Sequence, residues 1–135
     1  MPHADYLNIA LIEAQKAARA GEVPIGAVIV RDGRVIARAH NMRERKQNAA
    51  YHAEMLAIMR ACKKLRSWRL DDCDMYVTLE PCQMCMGACI NARMRHVYFG
   101  AKSTSDLNWT TPTTNLGDAK SSQILLDFFK KNRYN

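Results

Sequence analysis

Apolar positions recur along this chain at two different periods, and the switches between them mark out its elements. Between residues 5 and 20, Leu7, Ala10, Leu11, Ala14, Ala17 and Ala18 fall at helical spacing, and Gly21 ends the run. Ile25 to Val30 is strongly apolar, Asp32-Gly33 is a tight-turn dipeptide, and Val35 to Ala39 returns as a second strand, so 25–39 reads as a β-hairpin. A polar, basic loop from Asn41 to Asn48 leads to a helix over Ala53 to Leu65. Asp74 to Leu79 reads as a third strand, a helix runs from Pro81 to about Ala92, and Arg95 to Phe99 is a fourth strand. A last helix is expected over Ser121–Arg133. Ahead of it, the Thr/Pro-rich segment 110–116 is poor strand material, so a final strand should be reduced or missing.

This order implies a three-layer α/β domain with a mixed sheet. Strands three and four, joined by a helix, should be parallel through a right-handed crossover. Helix starts then meet strand ends at one edge, the usual place for a site in an open α/β sheet. With 135 residues the chain reads as one domain, 1–135, with a single core. Twenty basic against thirteen acidic side chains give a net charge of +7, compatible with a polyanionic partner without demanding one. Five cysteines is an odd number and argues against a disulfide framework, so a reducing, cytoplasmic setting is expected. There is no charged-then-apolar N-terminal signal pattern and no apolar run of membrane-spanning length, so no membrane partner is expected.

Two short stretches concentrate the chemistry: Tyr51-His52-Ala53-Glu54-Met55 and Glu80-Pro81-Cys82-Gln83-Met84-Cys85. His52 offers a neutral imidazole nitrogen, while Cys82 and Cys85 offer two thiolates. Three protein ligands leave a fourth tetrahedral position for water, the count that separates a catalytic zinc from a structural one. Pro81 suits a helix opening, where its missing N–H costs little. Cys82 and Cys85, three apart, then share one face of the first turn, and the positive helix end favours thiolate. Glu54, two residues past the ligand, reaches the metal's vicinity without binding it. A lone Cys-x-x-Cys is also a redox pair or half of a zinc knuckle. A closed structural site, however, needs a fourth ligand, and a redox pair needs no His-x-Glu. Cys89, four residues past Cys85, reads as core filler or a replacement ligand; Cys62 and Cys73 read as buried or half-buried thiols.

His-x-Glu followed by Pro-Cys-x-x-Cys is the signature of zinc nucleobase deaminases. From about Ala4 to Ala101 the chain resembles the cytidine deaminase-like superfamily, and within it the bacterial tRNA-specific adenosine deaminase, or TadA-type, branch. The stretches that carry the resemblance are Glu22-Val23-Pro24-Ile25-Gly26-Ala27-Val28, Asn41, His52-Ala53-Glu54, Tyr76-Val77-Thr78-Leu79-Glu80-Pro81-Cys82 and Val97-Tyr98-Phe99-Gly100-Ala101. The resemblance implies that His52, Cys82 and Cys85 bind zinc and that Glu54 shuttles protons during hydrolytic deamination of a base. It also implies that Asn41 hydrogen-bonds the base and that Val23 and Phe129 wall the pocket. The Ala53 N–H and the Leu79 carbonyl would complete the polar cage. Asn41 could instead simply end the strand and Val23 be ordinary core, and only one of the adjacent Phe128 and Phe129 can point inward on a helix.

The chain departs from this branch after Gly100-Ala101. Ser103 stands where the branch carries an acidic residue, and Lys102 to Trp109 lacks a Gly-rich stretch. A serine there removes one repulsion toward phosphate, compatible with a broadened nucleic-acid choice that includes single-stranded DNA. Basic clusters at Arg43/Arg45/Lys46 and Lys130/Lys131/Arg133 flank the expected pocket mouth and are the favoured strand contacts. Trp109 either stacks on a splayed base or plugs the core where strand is missing. Met84, Met86 and Met94 serve either a homodimer surface, as the branch implies, or the core. The leading reading is therefore deamination of adenine in a polynucleotide, such as a tRNA anticodon loop. Its rivals are deamination of cytosine, guanine or a free nucleotide, and a nucleic-acid-binding module with a structural zinc.

Overall fold

The computed structural model describes residues 2–103 and 109–132. Ten elements follow in order: α1 (Pro2–Arg19), β1 (Gly26–Arg31), β2 (Arg34–His40), α2 (Arg43–Lys46), α3 (Ala53–Leu65), β3 (Cys73–Leu79), α4 (Gln83–Asn91), β4 (His96–Ala101), β5 (Thr113–Asn115) and α5 (Ala119–Asn132). The strands form a mixed sheet in the order β2-β1-β3-β4-β5. β1 is antiparallel to both β2 and β3, and β3, β4 and β5 run parallel. The expected hairpin, parallel crossover and reduced last strand are all present, the last as a three-residue ribbon whose side chains are all exposed.

Helices cover both faces. α1 and α5 pack on one side against β1, β3 and β4, and α3 packs on the other against β1 and β2, with α4 beside it. β1 sits between the layers, which is why its sequence is a continuous apolar run rather than an alternating one. Ala27 and Ile29 join the larger core with Ala53, Leu56, Met75, Val77, Met86 and Phe99, while Val28 and Val30 join Leu7, Ala10 and Tyr76 under α1. Asp32 and Gly33 take φ of 50° and 74°, the double left-handed turn that matches strand twist in a two-residue hairpin. Ile36 has no cross-strand partner, so a bulge bends β2 between the Ile29 and Val30 pairings.

Gly26 is where α1 comes closest to the sheet. A Cβ there would lie 1.9 Å from the Ala10 carbonyl oxygen and 2.6 Å from the Ala14 nitrogen, both backbone atoms. Gly26→Ala should therefore cost about 3 kcal/mol or more and lower Tm by about 10 °C, read by thermal denaturation. A variant with an unchanged Tm would mean the helix yields without cost.

Beside Gly26, α1 carries a buried acid that the apolar pattern of the helix does not announce. Glu13 is 3% exposed, and its carboxylate meets Lys16 Nζ at 2.8 Å, Arg38 Nε at 2.7 Å and His40 Nδ1 at 2.9 Å. Burial by itself would raise its pKa, but the hydrogen bonds from His40, Lys16 and Arg38 outweigh it and bring the carboxyl down to about 2. A depressed carboxyl stabilises the fold fully above its unfolded value near 4.5 and ceases to do so as pH falls through about 2. Denaturant titrations should find about 3 kcal/mol lost across that window, and Glu13→Gln should flatten it. Equal pH slopes for both proteins would rule the network out as the cause.

Candidate metal centre

The two helices at the carboxyl end of β3 begin on the residues that carry the chemistry. His52 is the N-cap of α3 and Cys82 the N-cap of α4, both in extended backbone conformation. An N-cap side chain ordinarily accepts a hydrogen bond from its own helix. Neither does so here, leaving both free to turn toward each other. Pro81 therefore precedes the cap rather than opening the helix, since the extended ψ of 175° belongs to Cys82. Cys85, one turn on, is fully buried beneath the pair.

His52 Nδ1 lies 3.7 Å from Cys82 Sγ and 3.5 Å from Cys85 Sγ, and the three ligand atoms all fall within 4.8 Å of one another. Zinc bonds of about 2.0 Å to nitrogen and 2.3 Å to sulfur, set at tetrahedral angles, put nitrogen and sulfur about 3.6 Å apart. The spacing therefore fits one tetrahedral ion. Burial, and then the charge of Arg43, hold the His52 imidazole below its ordinary pKa, favouring the neutral form a metal needs. Burial pushes the Cys85 thiol well up, with the charges of Glu54 and Cys82 adding to it, so this buried sulfur needs a cation beside it to ionise. Cys89 is buried and lies outside the three-ligand group among the described residues, as core filler would.

Glu54 occupies the first turn of α3 and is 4% exposed. Its Oε1 is buried without a hydrogen-bond partner among the described residues, so that oxygen has its acceptor capacity unused. Burial raises its pKa to about 7, against smaller lowering from its own backbone N–H and the Cys85 thiol. A carboxyl poised there can both take and return a proton near neutrality.

Around this centre the other expected residues fall unevenly. Asn41 is 6% exposed just after β2, and its Oδ1 accepts the Arg43 N–H at 3.3 Å. Val23 is half-buried, and Ala53, buried, begins α3, where an N–H has no acceptor within the helix. Leu79 ends β3, paired with Ala101. Ser103 turns toward Glu80 rather than outward: its N–H and O–H both donate to Glu80 Oε1, at 3.1 and 2.9 Å. Phe129 is 54% exposed on α5, and Phe128 is the half-buried one of the pair, lining a cleft with Ala18, Arg19 and Gly21. Neighbours on a helix point about 100° apart, so burying the first turns the second to solvent. Trp109 packs against the larger core, the plug of its two alternatives. Met86 and Met94 are core, while Met84 is 40% exposed.

Sequence patterns alone do not single out Glu80 and Glu22. Both are buried acids accepting backbone N–H groups, Glu22 those of Glu44 and Arg45 in α2 and Glu80 that of Ser103. The only local signal is a carboxylate set among apolar residues.

Residues 1–133 match the MafB19-like deaminase family. The chain belongs to that family. Among its relatives is a tRNA-specific adenosine deaminase of Bacillus subtilis (strain 168), 56% identical over 96 residues, which are 71% of this chain and 60% of that protein's length. A solved chain from work on A-to-I editing by tRNA:A34 deaminases superposes with a TM-score of 0.84 at 37% identity, covering 90% of this chain and 99% of its own. A guanine deaminase from Bacillus subtilis superposes with a TM-score of 0.73 at 32% identity, covering 100% of this chain and 96% of its own. The deaminase fold, the His-Cys-Cys triad and the family thus agree. No helix among the described residues is long and apolar enough to cross a membrane.

Proposed function

We propose that this deaminase is a zinc-dependent hydrolase converting adenosine to inosine in a polynucleotide, with a tRNA anticodon loop as the natural substrate and single-stranded DNA within reach. The observation that carries the reading is the buried, unpartnered Oε1 of Glu54 beside a three-ligand metal group. His52, Cys82 and Cys85 would hold the zinc, which when bound supplies the Lewis acidity that makes an attacking water acidic near neutrality.

Glu54 takes the proton of that water on Oε1 and delivers it to the ring nitrogen next to the amine-bearing carbon. The water oxygen would bond to that carbon, Glu54 would take the second proton from the hydroxyl so formed and pass it to the amine, and the carbon–nitrogen bond would break to release ammonia and leave the carbonyl. Asn41 and the Ala53 N–H orient the base, with the Leu79 carbonyl and Val23 at its edge. Phe129, exposed in this chain, would wall the pocket only against a bound strand. Ser103 contributes by tying its segment to Glu80. An adenine amine is unreachable inside a stack, so the base must be unpaired or extruded. Arg43, Arg45, Lys130 and Lys131 suit the flanking phosphates.

The adenosine assignment draws on the 56%-identical relative named for tRNA-specific adenosine deamination. Guanine is the second reading, favoured by the superposed guanine deaminase. Parallel assays of ammonia release from free guanine and from a stem-loop bearing one adenosine separate the two. Release from the stem-loop alone is expected, and release from guanine alone would reverse the assignment. The exposed Met59 and Met84 on α3 and α4 favour a homodimer through that face, which a single-chain mass in solution would refute. All five cysteines are free, in keeping with a cytoplasmic setting.

A further inference from the structure

α2 is a single turn of four residues that buries none of its side chains, and its N-cap, Met42, makes no side-chain bond to it. Neither helix propensity nor packing can hold so short a turn. Its first N–H groups nevertheless all find acceptors. Asn41 Oδ1 takes that of Arg43 at 3.3 Å, Glu22 Oε1 takes that of Glu44 at 3.1 Å, and Glu22 Oε2 takes that of Arg45 at 2.6 Å. Glu22 is itself 2% exposed, so its charge is compensated chiefly by these amides. The turn so held carries Arg43, Arg45 and Lys46, all exposed, and the Met42 N–H at its start donates to the carbonyl of Tyr51, the residue before His52, at 3.0 Å.

We propose that Glu22 is a positioning residue for polynucleotide binding: its buried carboxylate fixes α2 so that Arg43 and Arg45 meet substrate phosphates beside the metal centre. Glu22 touches no substrate. It acts through two backbone amides, and the cations it orients supply the salt-dependent part of binding. This rests on the nucleic-acid reading above.

The test measures kcat and KM for a stem-loop across a salt series, with zinc content, for the wild-type protein, Glu22→Gln, Arg43→Ala/Arg45→Ala and the triple variant. Gln keeps the size of Glu but offers one acceptor where two are needed. Glu22→Gln should raise KM about tenfold, leave kcat within about twofold and zinc content unchanged, and reduce the salt slope by about 0.7 for each single-strand phosphate no longer neutralised. In the Arg43→Ala/Arg45→Ala background it should raise KM no further. Glu22→Asp, which keeps the charge but falls a methylene short, gives the same comparison if the Gln variant folds poorly. An unchanged KM, an equal rise in both backgrounds, or a fall in kcat or zinc content without a KM effect would overturn the proposal. A wild-type protein that turns over no oligonucleotide, or whose KM ignores salt, would overturn the nucleic-acid reading itself.

Discussion

Glu54→Gln should abolish turnover while leaving the metal in place. The amide fills the same buried volume but cannot carry a proton between water, ring nitrogen and leaving amine. General acid–base catalysis contributes about 10²- to 10⁴-fold, and one group here performs several transfers, so kcat should fall by at least about 10³-fold. Zinc content should stay near that of the wild type, because Glu54 is not among the three ligands. Stability should hold or rise, since burial disfavours the charged carboxylate and Oε1 has no partner to lose. The measurement is a paired assay of single-turnover rate and metal content. A variant retaining a tenth of the rate would remove Glu54 from the chemistry.

The second large effect follows from the ligands. Cys82→Ser should lose zinc and activity together, whereas Cys89→Ser should retain both at some cost in packing, because Cys89 stands outside the triad. Metal-free wild-type protein should regain stability on adding zinc. At a thousandfold excess over Kd the gain is about 4 kcal/mol, or a rise in Tm of roughly 10 °C or more. Thermal melts with and without zinc, for both variants, read this directly. A Cys82→Ser protein that keeps stoichiometric zinc would show that the ion sits elsewhere.

The metal centre was legible because its determinants are local. His52, Glu54, Cys82 and Cys85 lie on two short segments, and α3 runs over the same residues, Ala53–Leu65, that its pattern predicts. The sheet was legible for a similar reason: strands buried on both faces write themselves as apolar runs. What was not legible depends on residues distant in sequence. α2 lies within the expected loop because Glu22 and Asn41, rather than its own residues, satisfy its amides. The short β5 was legible only as a reduced strand: exposed Thr113–Asn115 buries no side chain, and its pairing with β4 fixes where it forms. Glu13 gains its partners from β2, so helical periodicity alone left it invisible. Ser103 likewise took its role from Glu80, a neighbour only in space.

The central claim is that the zinc-loaded chain removes the amine of an unpaired adenine. Its most direct test is single-turnover deamination, read by mass spectrometry, on an anticodon stem-loop with one target adenosine, on single-stranded DNA of that sequence, and on cytosine-containing versions of each. Inosine in the stem-loop, absent with Glu54→Gln, is the predicted result, and inosine in the DNA as well would extend the substrate range through the segment that begins at Lys102-Ser103. Fully zinc-loaded protein that leaves all four strands unchanged, or forms uracil alone, would contradict it.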